Sequence, residues 1–380
     1  MNSMITDTIE GLKLRKNDFD NAVELQTKLW NGEKTEKQPL LLHCELDEED
    51  NNKLPAFNTK EIHFDSGKMF LNGLREVMMA VYGGAEAVPS MRANMGCGIF
   101  PTLFGIEQDL FEDKMPWVKN HLSKEALSVM EPEDLKISDE FKAGMEHMAY
   151  MAEKLEGTGC RIFPMDVQGA FDTAHIVYGD AIFYDIYDDP GFVHHLLELS
   201  CEAIFMGMEE CFKVMPDSKE TITHYNSLIM PRSKGGIKIS EDTSTLLSKD
   251  QIEEFVSPYI NRILSRYGGG YLHYCGKNSH LFERVMENPL AFGFNLGNPE
   301  KHDMEYVLKR CAEAGKIYYA QIPKNENETN EQYFGRYITA SKAGDRKLIL
   351  LQYTCRKEER DEVLQAWEAA NEETKARNKG

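Results

Sequence analysis

The segment YLHYCGKN, residues 271–278, places a histidine and a cysteine two positions apart. His273 and Cys275 both carry side chains that bind soft metal ions, although either could also be an ordinary core residue. Successive residues of a strand point to opposite faces, so residues two apart point to the same face. If YLHYC is a strand, both side chains can therefore reach one metal ion.

A third possible ligand follows a later apolar segment. Cys355 ends KLILLQYTC, which predicts another strand. Zinc prefers nitrogen and sulfur donors in a tetrahedron, and catalytic zinc sites use three protein ligands and leave the fourth position open. His273, Cys275 and Cys355 therefore form a candidate zinc site. An H-x-C pair alone is weak evidence, and packing in the core is the alternative.

The composition excludes several classes of function. The chain has 380 residues, of which 42% are hydrophobic, and a formal charge of −20. Binding to a nucleic-acid backbone needs clustered lysine and arginine, so we expect no nucleic-acid partner. No segment approaches about 18 continuous apolar residues, and the N-terminal residues lack the apolar run of a secretion signal. We therefore expect a cytoplasmic protein that does not span a membrane and whose cysteines are reduced.

From about residue 85, apolar segments typical of strands alternate with amphipathic segments typical of helices. The predicted strands include CRIFPM, TITHYNS, YLHYC, LAFGFNLG, KIYYAQI and KLILLQYTC. This alternation predicts an α/β protein with a parallel sheet. A strand count near eight favours a (β/α)8 barrel, or TIM barrel, over residues 85–380, with residues 1–84 as a mainly helical N-terminal extension. The active sites of such barrels lie at the carboxyl ends of the strands.

Other polar residues are expected at this end of the barrel as candidates for substrate binding. Each also has a structural alternative, because SEDTS can cap a helix and a buried histidine can simply be hydrogen-bonded. The candidates are Asp166, Gln168, His224, Glu241 and Asp242.

Over roughly residues 85 to 370, four segments resemble the uroporphyrinogen decarboxylase superfamily. They are DVQGAFDTAHIVYGD, ISEDTSTLLSKDQIEEFVSPY, LHYCGKNSHLFERV and FNLGNPEKHD. The closer likeness is to the zinc-dependent corrinoid methyltransferases, whose pattern is His-x-Cys followed by a distant second cysteine. Here Cys355 lies 80 positions after Cys275. The resemblance implies the same barrel fold and strengthens the prediction of Zn2+ as a cofactor.

The resemblance also implies methyl transfer between a corrinoid and a thiol, a folate or a methoxylated small molecule. Zinc would activate the methyl donor or acceptor. The chain contains no D-x-H-x-x-G corrinoid-binding motif, because in DTAHIVYG the histidine His175 lies three positions after Asp172 rather than two. We therefore expect the corrinoid to be free or, more in line with the family, to arrive on a separate corrinoid protein as a partner.

Two alternatives stay open. A metal-free, decarboxylase-like lyase would need a strongly basic cavity for its carboxylate substrate. The decarboxylases carry an arginine-rich segment, and VPSMRANMGCG, in which Arg92 is the arginine, fits that pattern poorly. A non-catalytic barrel that binds a corrinoid protein or a small ligand would hold zinc without transferring methyl groups. The sequence does not identify the methyl donor, the acceptor or the direction of transfer.

Overall fold

The structure is a computed structural model that describes residues 3–33, 35, 37–225, 227–340 and 349–377. Its strands are mostly short, and the longer ones belong to one sheet. In chain order they are β1 (Leu40–Cys44), β2 (Ser90–Met91), β3 (Gln108–Asp109), β4 (Trp117–Val118), β5 (Arg161–Ile162), β6 (Thr221–His224), β7 (Leu228–Pro231), β8 (Ile237–Ser240), β9 (Gly270–Tyr274), β10 (Ala291–Leu296), β11 (Ile317–Tyr319) and β12 (Ile349–Cys355).

Helices separate most of these strands along the chain. They are α1 (Ser3–Leu14), α2 (Lys16–Trp30), α3 (Glu48–Lys53), α4 (Thr59–Ile62), α5 (Ser66–Gly83), α6 (Lys124–Ser128), α7 (Asp139–Lys154), α8 (Ala170–Tyr178), α9 (Ile182–Asp188), α10 (Pro190–Val214), α11 (Lys249–Gln251), α12 (Ser257–Tyr267), α13 (Ser279–Glu287), α14 (Met304–Glu313), α15 (Asn330–Ala340) and α16 (Arg360–Arg377). In the part of the chain that the structure describes, no helix has both the length and the apolar character needed to cross a membrane.

Six strands form a fully parallel sheet in the order β1-β12-β11-β10-β9-β8. β2 and β5 form a separate parallel pair, and a parallel bridge joins Gln168 to Ser240 at the end of β8. Parallel neighbours need long crossover connections, and helices such as α12, α13 and α14 provide them. The predicted α/β class with parallel sheets is confirmed. The closed eight-stranded barrel stays a prediction.

The strand predicted at TITHYNS exists, but its pairing differs from the prediction. It is β6, and it pairs antiparallel with β7 across a connection of three residues, 225–227. So short a connection permits a hairpin but is too short for a parallel crossover. The parallel strand of this region is β8, which the sequence analysis does not predict.

β1 lies within the predicted N-terminal extension and belongs to the main sheet. The first 84 residues include α1 to α5, and Leu40 to Cys44 pair in register with Leu351 to Cys355 of β12. The N-terminal segment therefore completes one edge of the sheet, which the sequence analysis does not predict. The division of the chain at residue 85 stays a prediction.

One face of the main sheet changes from apolar to polar along the strands. A small buried cluster joins Trp30 of α2, Leu41 of β1, Tyr271 of β9 and Tyr319 of β11, together with two apolar residues of β7. Tyr271 lies two positions before His273, so the two side chains share a face. The apolar cluster therefore fills the amino-terminal part of this face and leaves its carboxyl end to polar residues.

The opposite face of the sheet is covered by helices through aromatic packing. The ring of Phe334 on α15 lies 5.3 Å from that of Tyr353 on β12 and 5.3 Å from that of Trp367 on α16. Trp367 is 3% exposed. These contacts fix α15 and α16 against the edge of the sheet that β1 and β12 form.

We predict that Trp367→Ala lowers the free energy of unfolding by about 3–5 kcal/mol, because it opens a cavity beside Phe334. Denaturant-induced unfolding measures the change. Trp117→Ala is the matched control, since Trp117 is 51% exposed and its loss should change stability by about 0.5 kcal/mol or less. A loss for Trp367→Ala no larger than that of the control would contradict the packing described.

Candidate metal centre and the adjoining cavity

The YLHYCGKN segment is a strand end followed by a short turn into α13. Cys275 is the first residue after β9, and Gly276 has a φ of +87°, which favours glycine. Asn278 caps α13, since its Oδ1 accepts hydrogen bonds of 3.0 Å from two backbone amides of the first turn. The backbone amide of Gly276 donates to Oδ1 of Asn298 at 2.9 Å. The turn that carries Cys275 is therefore held on both sides.

His273 and Cys275 form a cluster with Asp242, the second residue after β8. Nε2 of His273 lies 3.6 Å from Sγ of Cys275 and 3.7 Å from Oδ1 of Asp242. The backbone amide of Cys275 donates to the same Oδ1 at 2.5 Å. One donor atom from each of the three side chains lies within 4.8 Å of the others. Nitrogen, sulfur and oxygen donors therefore converge at the carboxyl ends of two neighbouring strands.

The histidine is oriented by Asn295, its register partner on β10. Nδ1 of His273 lies 2.5 Å from Oδ1 of Asn295. An amide oxygen can only accept a hydrogen bond, so Nδ1 carries the hydrogen and Nε2 presents its lone pair. That lone pair faces Sγ of Cys275 and a carboxylate oxygen of Asp242. Metal-binding histidines are oriented in the same way, so the three donors fit a cation such as zinc.

The local electrostatics keep the histidine neutral and the cysteine protonated. Burial lowers the pKa of His273, and the charge of Lys238 lowers it further. Burial and the charge of Asp242 raise the pKa of Cys275 to about 11. A bound cation would reverse the second effect, because metals bind cysteine as the thiolate. The protonation state of His273 already suits a ligand.

Two further carboxyl groups support the loop of Asp242. Asp172 on α8 accepts hydrogen bonds from the backbone amides of Asp242, at 2.6 Å, and Thr243, at 2.7 Å. Burial and the charge of Asp242 raise the pKa of Asp172 to about 7. Glu241 is 1% exposed and accepts a hydrogen bond from Oγ of Ser244 at 2.6 Å. Both groups position the backbone that carries Asp242.

Cys355 lies away from this cluster, beside Cys44. The two residues are register partners on β12 and β1, and their Sγ atoms are 3.9 Å apart. Cys355 shares a face of β12 with Tyr353, which packs against Phe334 of α15. The structure therefore brings together two of the three predicted zinc ligands, His273 and Cys275. The third member of their cluster is Asp242, which was predicted from the sequence to bind substrate.

Two predicted substrate-binding residues, Asp166 and His224, line a cavity of about 30 Å³ next to the cluster. Arg92 and Lys238 line it as well. Oδ1 of Asp166 lies 3.6 Å from Nη1 of Arg92 and 3.7 Å from Nζ of Lys238. Burial acts to raise the pKa of Asp166, but the charges of Lys238 and Arg92 outweigh it and lower that pKa. Asp166 is therefore an ionised carboxylate between two cations.

The remaining two candidates have structural contacts. Gln168 is 6% exposed and forms the backbone bridge to Ser240. The backbone amide of Glu241 donates to the carbonyl of His273 at 2.9 Å, and a Cβ on Gly169 would collide with the Glu241 side chain. These contacts join the ends of β8 and β9 to the loop before α8. They give both residues a role in supporting the cluster.

Asn295, Arg92 and Lys238 also belong to the site and its neighbouring cavity, but they are not predicted from the sequence. Asn295 interrupts the apolar run AFGFNL and Lys238 interrupts IKIS. A polar residue within an apolar strand could have indicated both residues, because such a side chain needs a hydrogen-bond partner when it is buried. The sequence indicates Arg92 less clearly, because the strand before it, β2, has only two residues and shows no apolar pattern that Arg92 could interrupt.

Comparisons with known proteins identify the fold. No family model matches the chain, and a search of curated proteins finds no match. Among solved structures, the chain is similar to a methyltransferase from Methanosarcina mazei, with a TM-score of 0.63 and 11% sequence identity. The match covers 92% of this chain and 98% of that chain. The likeness therefore extends over nearly the whole length of both proteins and shows the fold that they share.

Gly297 tests how closely the cluster is packed. A Cβ on Gly297 would collide with Sγ of Cys275 and approach Cε1 of His273 to 3.1 Å. We predict that Gly297→Ala weakens zinc binding about tenfold or more, because overpacking displaces the two ligands. Competition with a chromophoric chelator measures the affinity. Gly335→Ala on α15 is the control, since open space surrounds its Cβ position. Equal zinc affinity in both variants would contradict the arrangement.

Asn295 tests the orientation of the histidine. We predict that Asn295→Ala lowers zinc affinity by about 10-fold to 100-fold, as loss of a partner that orients a metal ligand typically does. The same chelator competition reads the effect. Asn261→Ala on the exposed side of α12 should leave the affinity unchanged. Unchanged zinc affinity in Asn295→Ala would mean that the hydrogen bond to Nδ1 does not prepare His273 for a metal.

Proposed function

We propose that this protein is a zinc-dependent methyltransferase that moves a methyl group between a corrinoid and a small molecule. The observation that carries the proposal is the convergence of His273, Cys275 and Asp242 at the carboxyl ends of β8 and β9. In the barrel that the sequence predicts, this is the end where active sites lie. The fold shared with a methyltransferase supports the proposal at a coarser level.

His273 and Cys275 would hold the metal, with either Asp242 or Cys355 as the third ligand. The sequence pattern favours Cys355, and the distances favour Asp242, which we take as the ligand. Three protein ligands leave a fourth position for the substrate heteroatom. Zinc held there would bind a thiol substrate as its nucleophilic thiolate, or would polarise the oxygen of a methyl ether. Asn295 and Asp172 would then act as positioning residues for His273 and Asp242.

The corrinoid would come from a separate corrinoid protein in the cytoplasm. His175, in the segment that resembles a corrinoid-binding motif, makes polar contacts near the end of α8. Its Nε2 lies 2.9 Å from Oδ1 of Asp180, and its Nδ1 lies 3.3 Å from Oγ1 of Thr243. These contacts suit a structural residue. They support the expectation that a partner delivers the corrinoid to the mouth of the site.

Two other functions make different predictions. A metal-free lyase of the decarboxylase type requires no zinc. It would therefore not explain why donor atoms of His273 and Asp242 lie close together. A non-catalytic protein that binds a small ligand or a corrinoid protein would hold zinc but transfer no methyl group. The zinc content of the purified protein distinguishes the metal-free lyase from our proposal. A methyl-transfer assay distinguishes the non-catalytic binding protein from it.

The first test is the zinc content of protein purified under reducing conditions. We predict about one zinc per chain for the wild type and loss of most of it in His273→Ala and Cys275→Ala. Asp242→Asn should also lose zinc, whereas Cys355→Ala should retain it. Retention in Asp242→Asn with loss in Cys355→Ala would make Cys355 the third ligand. A wild-type protein that binds no zinc after reconstitution would overturn the proposal.

The zinc-loaded protein is then assayed for demethylation of methylcobalamin with thiols as acceptors. The loss of the methyl group is followed by the change in the corrinoid spectrum. We predict turnover in the wild type and in Cys355→Ala, and none above background in Cys275→Ala. Bound zinc without turnover, with thiols or with methoxylated donors, would favour the non-catalytic alternative.

A further inference from the structure

A pair of cysteines lies at the carboxyl ends of β1 and β12, where the two strands run side by side. Cys44 and Cys355 are register partners, and their Sγ atoms lie 3.9 Å apart. Neighbouring strands lie about 4.8 Å apart, and disulfides join residues whose Cα atoms are about 4.4–6.8 Å apart. Rotation of the two side chains can therefore bring the sulfur atoms into bonding distance while the strands stay paired.

The cysteine pair lies on the face of the sheet opposite to the metal centre. Leu41 belongs to the small buried cluster that also contains Tyr271, and His273 shares the face of Tyr271. Cys44 lies three positions after Leu41, so its side chain points to the other face, and its register partner Cys355 points there with it. Both cysteines pack in the larger hydrophobic cluster. A reaction of the pair therefore needs none of the residues in the metal centre.

The surroundings of the pair favour the thiolate form of Cys44. The hydrogen bond from the thiol of Cys355 lowers the pKa of Cys44, and the charges of Arg360 and Lys357 lower it further, although burial acts against them. All eight cysteines of the chain lie among the described residues, and Cys44 is the only one whose pKa is lowered. The thiolate is the form of cysteine that reacts with oxidants, so Cys44 supports the reactivity of the pair.

The pair also lies close to the protein surface. Cys355 is 6% exposed, and the residues that follow the two cysteines, Glu45 and Arg356, are both exposed. The backbone amide of Glu45 donates to the carbonyl of Cys355 at 2.9 Å, so the paired strands reach this surface together. A small oxidant such as hydrogen peroxide therefore has a short path to the sulfur atoms.

We propose that Cys44 and Cys355 form a reversible disulfide when the protein meets hydrogen peroxide, while the metal centre stays intact. The thiolate of Cys44 attacks one oxygen of the peroxide, which breaks the O–O bond, forms a sulfenic acid and releases hydroxide. The sulfur of Cys355 gives its proton to this hydroxide, which becomes water, and attacks the sulfenic sulfur. The S–S bond forms as the S–O bond breaks, and the second hydroxide leaves with a solvent proton as water. Two electrons pass from the two sulfur atoms to the peroxide.

The disulfide would tie together two strands that are far apart in the sequence. Cys44 and Cys355 are separated by 311 positions, and the bond would link the N-terminal segment to the last strand of the sheet. In the reducing compartment expected for this protein, disulfides are usually transient and serve as redox sensors. The modification is independent of the proposed methyl transfer, because it uses neither zinc nor a methyl group.

The test treats the reduced, zinc-loaded full chain with hydrogen peroxide, alkylates the remaining thiols and analyses proteolytic peptides by mass spectrometry. We expect a cross-linked peptide pair that contains Cys44 and Cys355 and that dithiothreitol separates. Cys44→Ser and Cys355→Ser should each abolish this cross-link. Cys211→Ser is the matched control, since Cys211 is a buried cysteine of α10, and this variant should form the cross-link as the wild type does.

The wild type decides the question even if a variant fails to fold. Oxidation of Cys97 or Cys275 before the cross-link forms, or oxidation of Cys44 to a sulfinic acid without a cross-link, would overturn the proposal. The zinc content should be equal before and after oxidation, and loss of zinc in step with the cross-link would overturn the separation of the pair from the metal centre. A wild type that forms the cross-link but binds no zinc would remove the proposed methyl transfer and keep this redox site.

Discussion

The candidate site depends on the hydrogen bond from Nδ1 of His273 to Asn295. It joins register partners on β9 and β10, and its short length of 2.5 Å leaves the imidazole one orientation. The free nitrogen of the ring is thereby turned toward Cys275 and Asp242. Without this bond, Nε2 could carry the hydrogen, and the three side chains would be a hydrogen-bonded group rather than a set of metal ligands. The regular pairing of parallel strands provides the geometry.

Lys238 links the two parts of the site electrostatically. Its charge lowers the pKa values of His273 and His224, after the larger effect of burial, and it also lowers the pKa of Asp166. A lysine in an apolar strand is costly to bury unless it has partners. Here the partners are Ser240 and Asp166. The arrangement favours the neutral form of both histidines.

The sequence predicts the fold class and half of the site because both depend on local patterns. Alternating segments predict parallel strands, and two residues on one strand, His273 and Cys275, must share a face. Contacts between strands depend on register, which the sequence does not reveal. The contacts of His273 with Asn295 and Asp242 could therefore not be predicted from the sequence. Cys355 was placed at a strand end correctly, but its side chain lies on the face occupied by Tyr353, beside Cys44.

X-ray absorption at the zinc edge tests the central claim most directly, because it counts the sulfur atoms around the metal. Our account predicts one sulfur at about 2.3 Å, from Cys275, together with nitrogen and oxygen neighbours from His273 and Asp242. Two sulfur atoms would contradict it, since Cys355 would then be drawn from its position beside Cys44 to replace Asp242. A protein that holds no zinc would contradict the metal centre itself.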